Sequence, residues 1–155
     1  MKRKYGLLGL LLVSGADAAA RNKVRPKNVL FIAVDDMKPA LGCYGDRVAR
    51  TPHIDALAAD GAVFRRAYCQ QAVSGPTRAS LLTGLRPEEV GVTELNTWMR
   101  AKVPDVVTLP QAFREAGYET RGVGKIFHGT KNSLDERSWS ERPSLYEYSR
   151  NEEYQ

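Results

Sequence analysis

Apolar positions along this chain fall into short runs separated by proline, glycine and charged residues. Residues 28–34 are apolar after the opening Asn28 and lie between polar flanks, the pattern of a strand buried on both faces of a parallel sheet. Thr51-Pro52 then supplies an N-cap and a first-turn proline. Ile54, Leu57 and Ala58 recur at helical spacing, and Asp60-Gly61 closes the segment. Residues 63–68 read as a second strand, and residues 76–83 as a helix stopped by Gly84. A further helix is expected over 108–116 with Gly117 beyond it, then a strand over 118–123 ending at Gly124-Lys125. Strands alternating with helices predict an α/β fold on a doubly wound, mostly parallel sheet. After Gly129 the pattern fades, and Trp139, Tyr146, Tyr148 and Tyr154 are scattered among charges.

The first residues belong to a different category. Met1-Lys2-Arg3-Lys4 is a basic start, residues 7–13 are apolar but too short to span a bilayer, and Ala16-Asp17-Ala18 is a cleavage-type site. Residues 1–18 therefore read as an export signal, residues 19–26 as a linker, and 27–155 as the folded region. No Cys follows the apolar run, which argues against a lipoprotein anchor. A periplasmic or secreted location is expected, with no membrane-spanning segment once the signal is removed. The formal charge of +5 over 155 residues falls on cleavage. It reads as a solvated face with slight attraction for polyanions, and no nucleic-acid partner is expected. Cys43 and Cys69 are too few for a disulfide framework. They form either one bridge, which export permits, or two buried thiols.

Three groups of residues carry candidate chemistry. Asp35-Asp36 directly follows the first expected strand. Ligands in open α/β sheets bind outside the carboxyl ends of strands, and adjacent carboxylates there suit a hard divalent cation. Standing alone, such a pair would equally be a solvated turn or a helix N-cap. Ser74-Gly75-Pro76-Thr77-Arg78 runs into Leu82-Thr83-Gly84, placing Ser74 at a helix entry that favours anions. A plain serine hydroxyl is a poor nucleophile without a base, and no Ser-His-Asp order is visible. The third group is Gly122-Val123-Gly124-Lys125-Ile126-Phe127-His128, with Lys125 and His128 at a strand end.

The block from Ser74 to Gly84 resembles the signature of the type I sulfatases. The resemblance covers residues 27–129 and implies an alkaline-phosphatase-like fold. In that family the first signature residue, Cys or Ser, is oxidised to formylglycine, and its hydrated aldehyde attacks sulfur. The second hydroxyl then expels sulfate. The resemblance thus implies that Ser74 is the catalytic precursor and that Arg78 holds the hydrate through its planar fork. It implies Ca²⁺ bound by Asp35, Asp36 and the modified Ser74, together with a later Asp and an Asn or His that the sequence does not contain. Lys125 is expected to contact the sulfate, and His128 to act near the leaving oxygen. Cys69 does not fit, because the residues two and four beyond it are Gln71 and Val73 rather than Pro and Arg. A serine-type signature also implies the radical, oxygen-independent maturase as a partner, and a bacterial source.

Two residues separate Lys125 from His128. That spacing, with Asp-Asp-Met, Gly-Cys-Tyr-Gly-Asp and Gln-Gln-Ala-Val, resembles the iduronate-2-sulfatase branch. Residues 94–100 and 108–111 would then shape the substrate pocket. The catalytic domain of the family is several times longer, so residues 27–155 are expected to be its N-terminal part, inactive alone. The expected activity is hydrolysis of sulfate esters on sulfated uronic acids or polysaccharides. The alternatives are a phosphomonoester or phosphonate-ester hydrolase of the same superfamily and a non-catalytic sulfoglycan-binding protein.

Overall fold

The computed structural model describes residues 27–145. The chain divides into two units, residues 1–31 and 32–155. In the first, residues 27–31 are exposed and carry no regular secondary structure. The expected signal (1–18) and linker (19–26) lie outside the described residues, as do Tyr146, Tyr148 and Tyr154.

The second unit is organised by short helices. A 3-10 turn, Gly42–Tyr44, precedes α1, Pro52–Asp60. Thr51 Oγ1 accepts from Gly42 N (3.0 Å) and donates to Asp55 Oδ1 (3.0 Å), which also accepts from Cys43 N (2.7 Å). This clamp leaves no room for a side chain at Gly42, where a Cβ would lie 2.3 Å from Asp55 Oδ2. The apolar positions Ile54 and Leu57 of α1 are exposed rather than packed.

Helix α2, Ser74–Thr83, begins two residues before Pro76 and ends at Gly84. With φ 73°, that residue adopts the left-handed conformation which glycine reaches without strain. Helices α3 (Pro87–Val90) and α4 (Met99–Lys102) follow. Helix α5, Leu109–Glu115, is capped by Thr108 Oγ1, which accepts from Gln111 N. Helix α6 spans Thr130–Ser133.

Ala79 and Leu82 of α2 pack with Val90, Val92, Met99, Phe127 and Trp139. Phe127 and Trp139 meet edge to face with centroids 6.1 Å apart, and Trp139 Nε1 donates to Ser133 O (2.9 Å). The faded stretch after Gly129 therefore closes the core. Arg100 is the other organiser. It donates from Nε and NH2 to the two oxygens of Asp135 (both 2.9 Å), from NH2 to Gln111 Oε1, and from NH1 to the carbonyls of Pro104 and Val106. These five bonds satisfy every donor of a buried guanidinium.

The doubly wound sheet is not formed among the described residues, where a single parallel bridge joins Val123 and Ser144. Residues 120–124 do run beside 140–144, with Ser140 N donating to Thr120 O (2.9 Å) and Gly124 N to Ser144 O (2.8 Å). The stretches expected as strands over 28–34 and 63–68 form no strand, and Arg65-Arg66 lie in a turn. Leu30 is 84% exposed, and Ile32 and Phe64 are similarly open. A parallel strand gains its stability from neighbours on both edges and helices on both faces, and the described residues supply neither to these segments.

Candidate functional site

The site forms where the start of α2 meets the turns at Asp35 and Lys125. Ser74 is the first helical residue of α2, after Val73 in an extended conformation. Its Oγ donates to Asp35 Oδ1 (3.1 Å). Arg78, one turn on, is only 6% exposed. NH2 of Arg78 donates to Asp35 Oδ1 (2.9 Å), and NH1 donates to the carbonyls of Lys125 (2.5 Å) and Ile126 (2.9 Å). The fork thus ties the Asp35 turn to the Lys125 turn. Lys125 Nζ completes the set on Asp35 Oδ2 (2.5 Å). Residues as far apart as 35 and 125 converge on one carboxylate.

Burial works to raise the pKa of Asp35. Hydrogen bonds from Lys125, Arg78 and Ser74 outweigh it and lower the pKa to about 2. The carboxylate is therefore charged at neutral pH and two cations neutralise it. Desolvation pushes the pKa of His128 down, and Lys125 and Arg78 add to that against a partial opposing pull from Asp35. His128 Nδ1 is buried without a hydrogen-bond partner.

Asp36 is exposed at φ 49°, a left-handed conformation that aspartate tolerates better than most residues. It joins the cluster through its place beside Asp35 rather than through a bond to Ser74.

A wall stands behind Ser74. Glu94 O would lie 2.8 Å from a Cβ at Gly75, and Gln71 Nε2 donates to Thr93 O (3.1 Å). Of the stretches expected to shape a pocket, Glu94 and Leu95 approach the start of α2 at Gly75. Arg100, Thr108 and Gln111 instead hold the interior together. Lys125, expected to contact the sulfate, places its ammonium on Asp35 in this structure. Both cysteines are free thiols, and neither is buried, against the expectation of a bridge or two core thiols. Asp135 and Asn132 were not singled out in the sequence. Their only signal was Trp139, an aromatic in an otherwise polar run.

Comparison with known families bears on this cluster. The family model described as Sulfatase matches residues 27–154. This chain belongs to the sulfatase family. Among curated sulfatases, human iduronate 2-sulfatase is 43% identical over 145 residues, covering 88% of this chain and 26% of the relative. A protein named Sulfatase from Formosa agariphila is 34% identical over 139 residues, covering 83% of this chain and 27% of the relative. An N-acetylglucosamine-6-O-sulfatase from Bacteroides thetaiotaomicron is 36% identical over 120 residues, with 77% and 21% covered. The chain spans about a quarter of the length of these sulfatases. Membership carries the alkaline-phosphatase-like superfamily with it. No helix among the described residues is long and apolar enough to cross a membrane.

Proposed function

We propose that this chain belongs to an exported sulfatase that hydrolyses sulfate esters of sulfated uronic acids or polysaccharides, with a nucleophile made by oxidising Ser74 to formylglycine. The observation that carries this reading is the convergence of Ser74, Arg78 and Lys125 on Asp35. A hydroxyl at the start of a helix, beside two fixed cations, is placed to receive an anionic ester.

Asp35, Asp36 and the oxygen on residue 74 are hard oxygen donors, and they fit Ca²⁺. Asp35 is already charged and already draws cations, as the Lys125 ammonium on Oδ2 demonstrates. Bound there, Ca²⁺ would supply the charge that activates an oxygen at residue 74. The other steps fall to the chain. Arg78 orients the residue 74 side chain through the carboxylate they share, and its bonds to the Lys125 and Ile126 carbonyls keep that fork from turning. Lys125 offers an ammonium to the sulfate oxygens as negative charge gathers on them. His128 acts near the bridging oxygen that leaves with the sugar.

The doubly wound sheet, the radical-type maturase, the periplasmic or secreted location and the bacterial source belong to the same reading. The test is sulfate release by the full-length, matured protein. Ser74→Ala should abolish it while leaving the unfolding transition in place. Turnover of an aryl phosphate in preference to an aryl sulfate would favour the phosphoester alternative and overturn this one.

A further inference from the structure

Residues 93–99 run as a strap from the start of α2 to Asn132, pinned at both ends. One end is fixed to the start of α2 by the Gln71–Thr93 bond and by the close approach of Glu94 O to Gly75. The other end is held by Asn132. Its Nδ2 donates to Thr97 O (2.9 Å) and to His128 O (3.0 Å), and its Oδ1 accepts from Met99 N (2.9 Å). One amide side chain thereby joins both neighbours of Trp98 to the His128 backbone. Met99 is driven into the core, yet Trp98 keeps 38% of its surface open. Lys131, three residues after His128 and directly before Asn132, places Nζ 3.7 Å from the centroid of the Trp98 ring.

Packing does not require an open indole beside a buried methionine, and an exposed lysine is free to extend into water. Here the ring holds the ammonium in place by cation–π attraction, and Asn132 ties this pair to the backbone of His128, a residue within electrostatic reach of Arg78 and Lys125. A flat apolar ring with a fixed positive charge matches a sugar ring that carries a second anion.

We propose that Trp98 and Lys131 form a subsite for a second anionic group, a carboxylate or a further sulfate, on the sulfated sugar whose ester is cleaved at Ser74. The ammonium held over the indole pairs with the anion, and the part of the indole that Lys131 leaves open meets the apolar side of the sugar. This rests on the sulfatase reading of Ser74.

The test uses the full-length, matured protein and three sulfate esters: an aryl sulfate with no second anion, a sulfated uronic acid, and a disulfated neutral sugar. Lys131→Gln should raise KM roughly three- to tenfold for a sugar with a second anion, the scale of one partly exposed charge pair. It should leave kcat, and all kinetics on the aryl sulfate, within about twofold. Lys131→Arg should restore KM, and added salt should shrink the difference. A loss with the uronic acid alone assigns a carboxylate, and a loss with the disulfated sugar alone assigns a sulfate. An unchanged KM for both sugars, or an equal loss on the aryl sulfate, overturns the subsite. Failure of the wild type on all three esters would defeat the sulfatase reading instead. The subsite is then decided by indole fluorescence titrated with the sulfated uronic acid. A saturable change weakened by Lys131→Gln upholds it, and no change overturns it.

Discussion

Gly75→Ala sets two known effects against each other beside the nucleophile. Gly75 is the second residue of α2 and is buried. Replacing a helical glycine with alanine stabilises by about 0.5–1 kcal/mol, because the unfolded chain loses freedom and the helix gains propensity. Against that, the new Cβ would stand 2.8 Å from Glu94 O and 3.1 Å from Leu95 Cα. Both are backbone atoms, so no side-chain rotation relieves the contact. Overpacking of this kind costs about 1–3 kcal/mol. The clash wins, and the net change is a destabilisation on the order of 1–2 kcal/mol. The strap must also move away from α2, shifting Ser74 against Asp35 and Lys125. Misplacement of reacting groups on the scale of an ångström lowers rates by about a hundredfold. The assay is chemical unfolding beside sulfate-ester hydrolysis in the full-length protein. A Gly75→Ala variant as stable as wild type, with unchanged turnover, would refute the close approach of strap and helix.

Other parts of the structure yield further expectations. Arg100→Met should destabilise by about 3–5 kcal/mol in denaturant, because it strands a buried Asp135 charge; adding Asp135→Leu should recover much of the loss. Burial works to raise the pKa of Asp135, but bonds from Arg100 and Ser138 lower it. A depressed folded pKa means that the stabilisation is complete above the ordinary carboxylate range and disappears as pH falls through the folded value. Thermal unfolding against pH should therefore show an acid limb that Asp135→Asn flattens. Arg78→Lys should reduce turnover far more than stability, since an ammonium cannot hold Asp35 and two carbonyls in one plane; equal losses in both would point to a purely structural arginine.

Local punctuation made α1, α2 and α5 legible. Pro52, Gly84 and Thr108 act within a few residues, so these starts and stops can be read without knowing the tertiary fold, whereas the Thr51 side chain, expected as a cap, bonds Gly42 N and Asp55 instead. The candidate pair Ser74 and Arg78 was legible through the resemblance of residues 74–84 to a family signature, although the expected helix began at Pro76 and the observed one includes Ser74. The pairing of Lys125 with Asp35 was not, since nothing local in a strand-end lysine reveals a partner 90 residues away. The short helices α3, α4 and α6 are below the length at which propensity alone sustains a helix. They exist through contacts such as Asn132 on Met99 N and Arg100 on Asp135. Buried ion pairs look like surface charges in a sequence, which is why residues 130–145 read as unstructured. The apolar run over 28–34 predicts burial on two faces, whereas Val29, Leu30, Ile32 and Val34 are exposed, because no strand pairs with the run among the described residues.

The central claim is that Ser74 becomes the nucleophile through oxidation. It is tested most directly by the mass of the Ser74-containing peptide from full-length protein purified as an active sulfatase from its own host. The account predicts a peptide lighter by the pair of hydrogens lost when a primary alcohol becomes an aldehyde, or the corresponding hydrate. Unmodified Ser74 throughout a preparation that releases sulfate at full rate would contradict it.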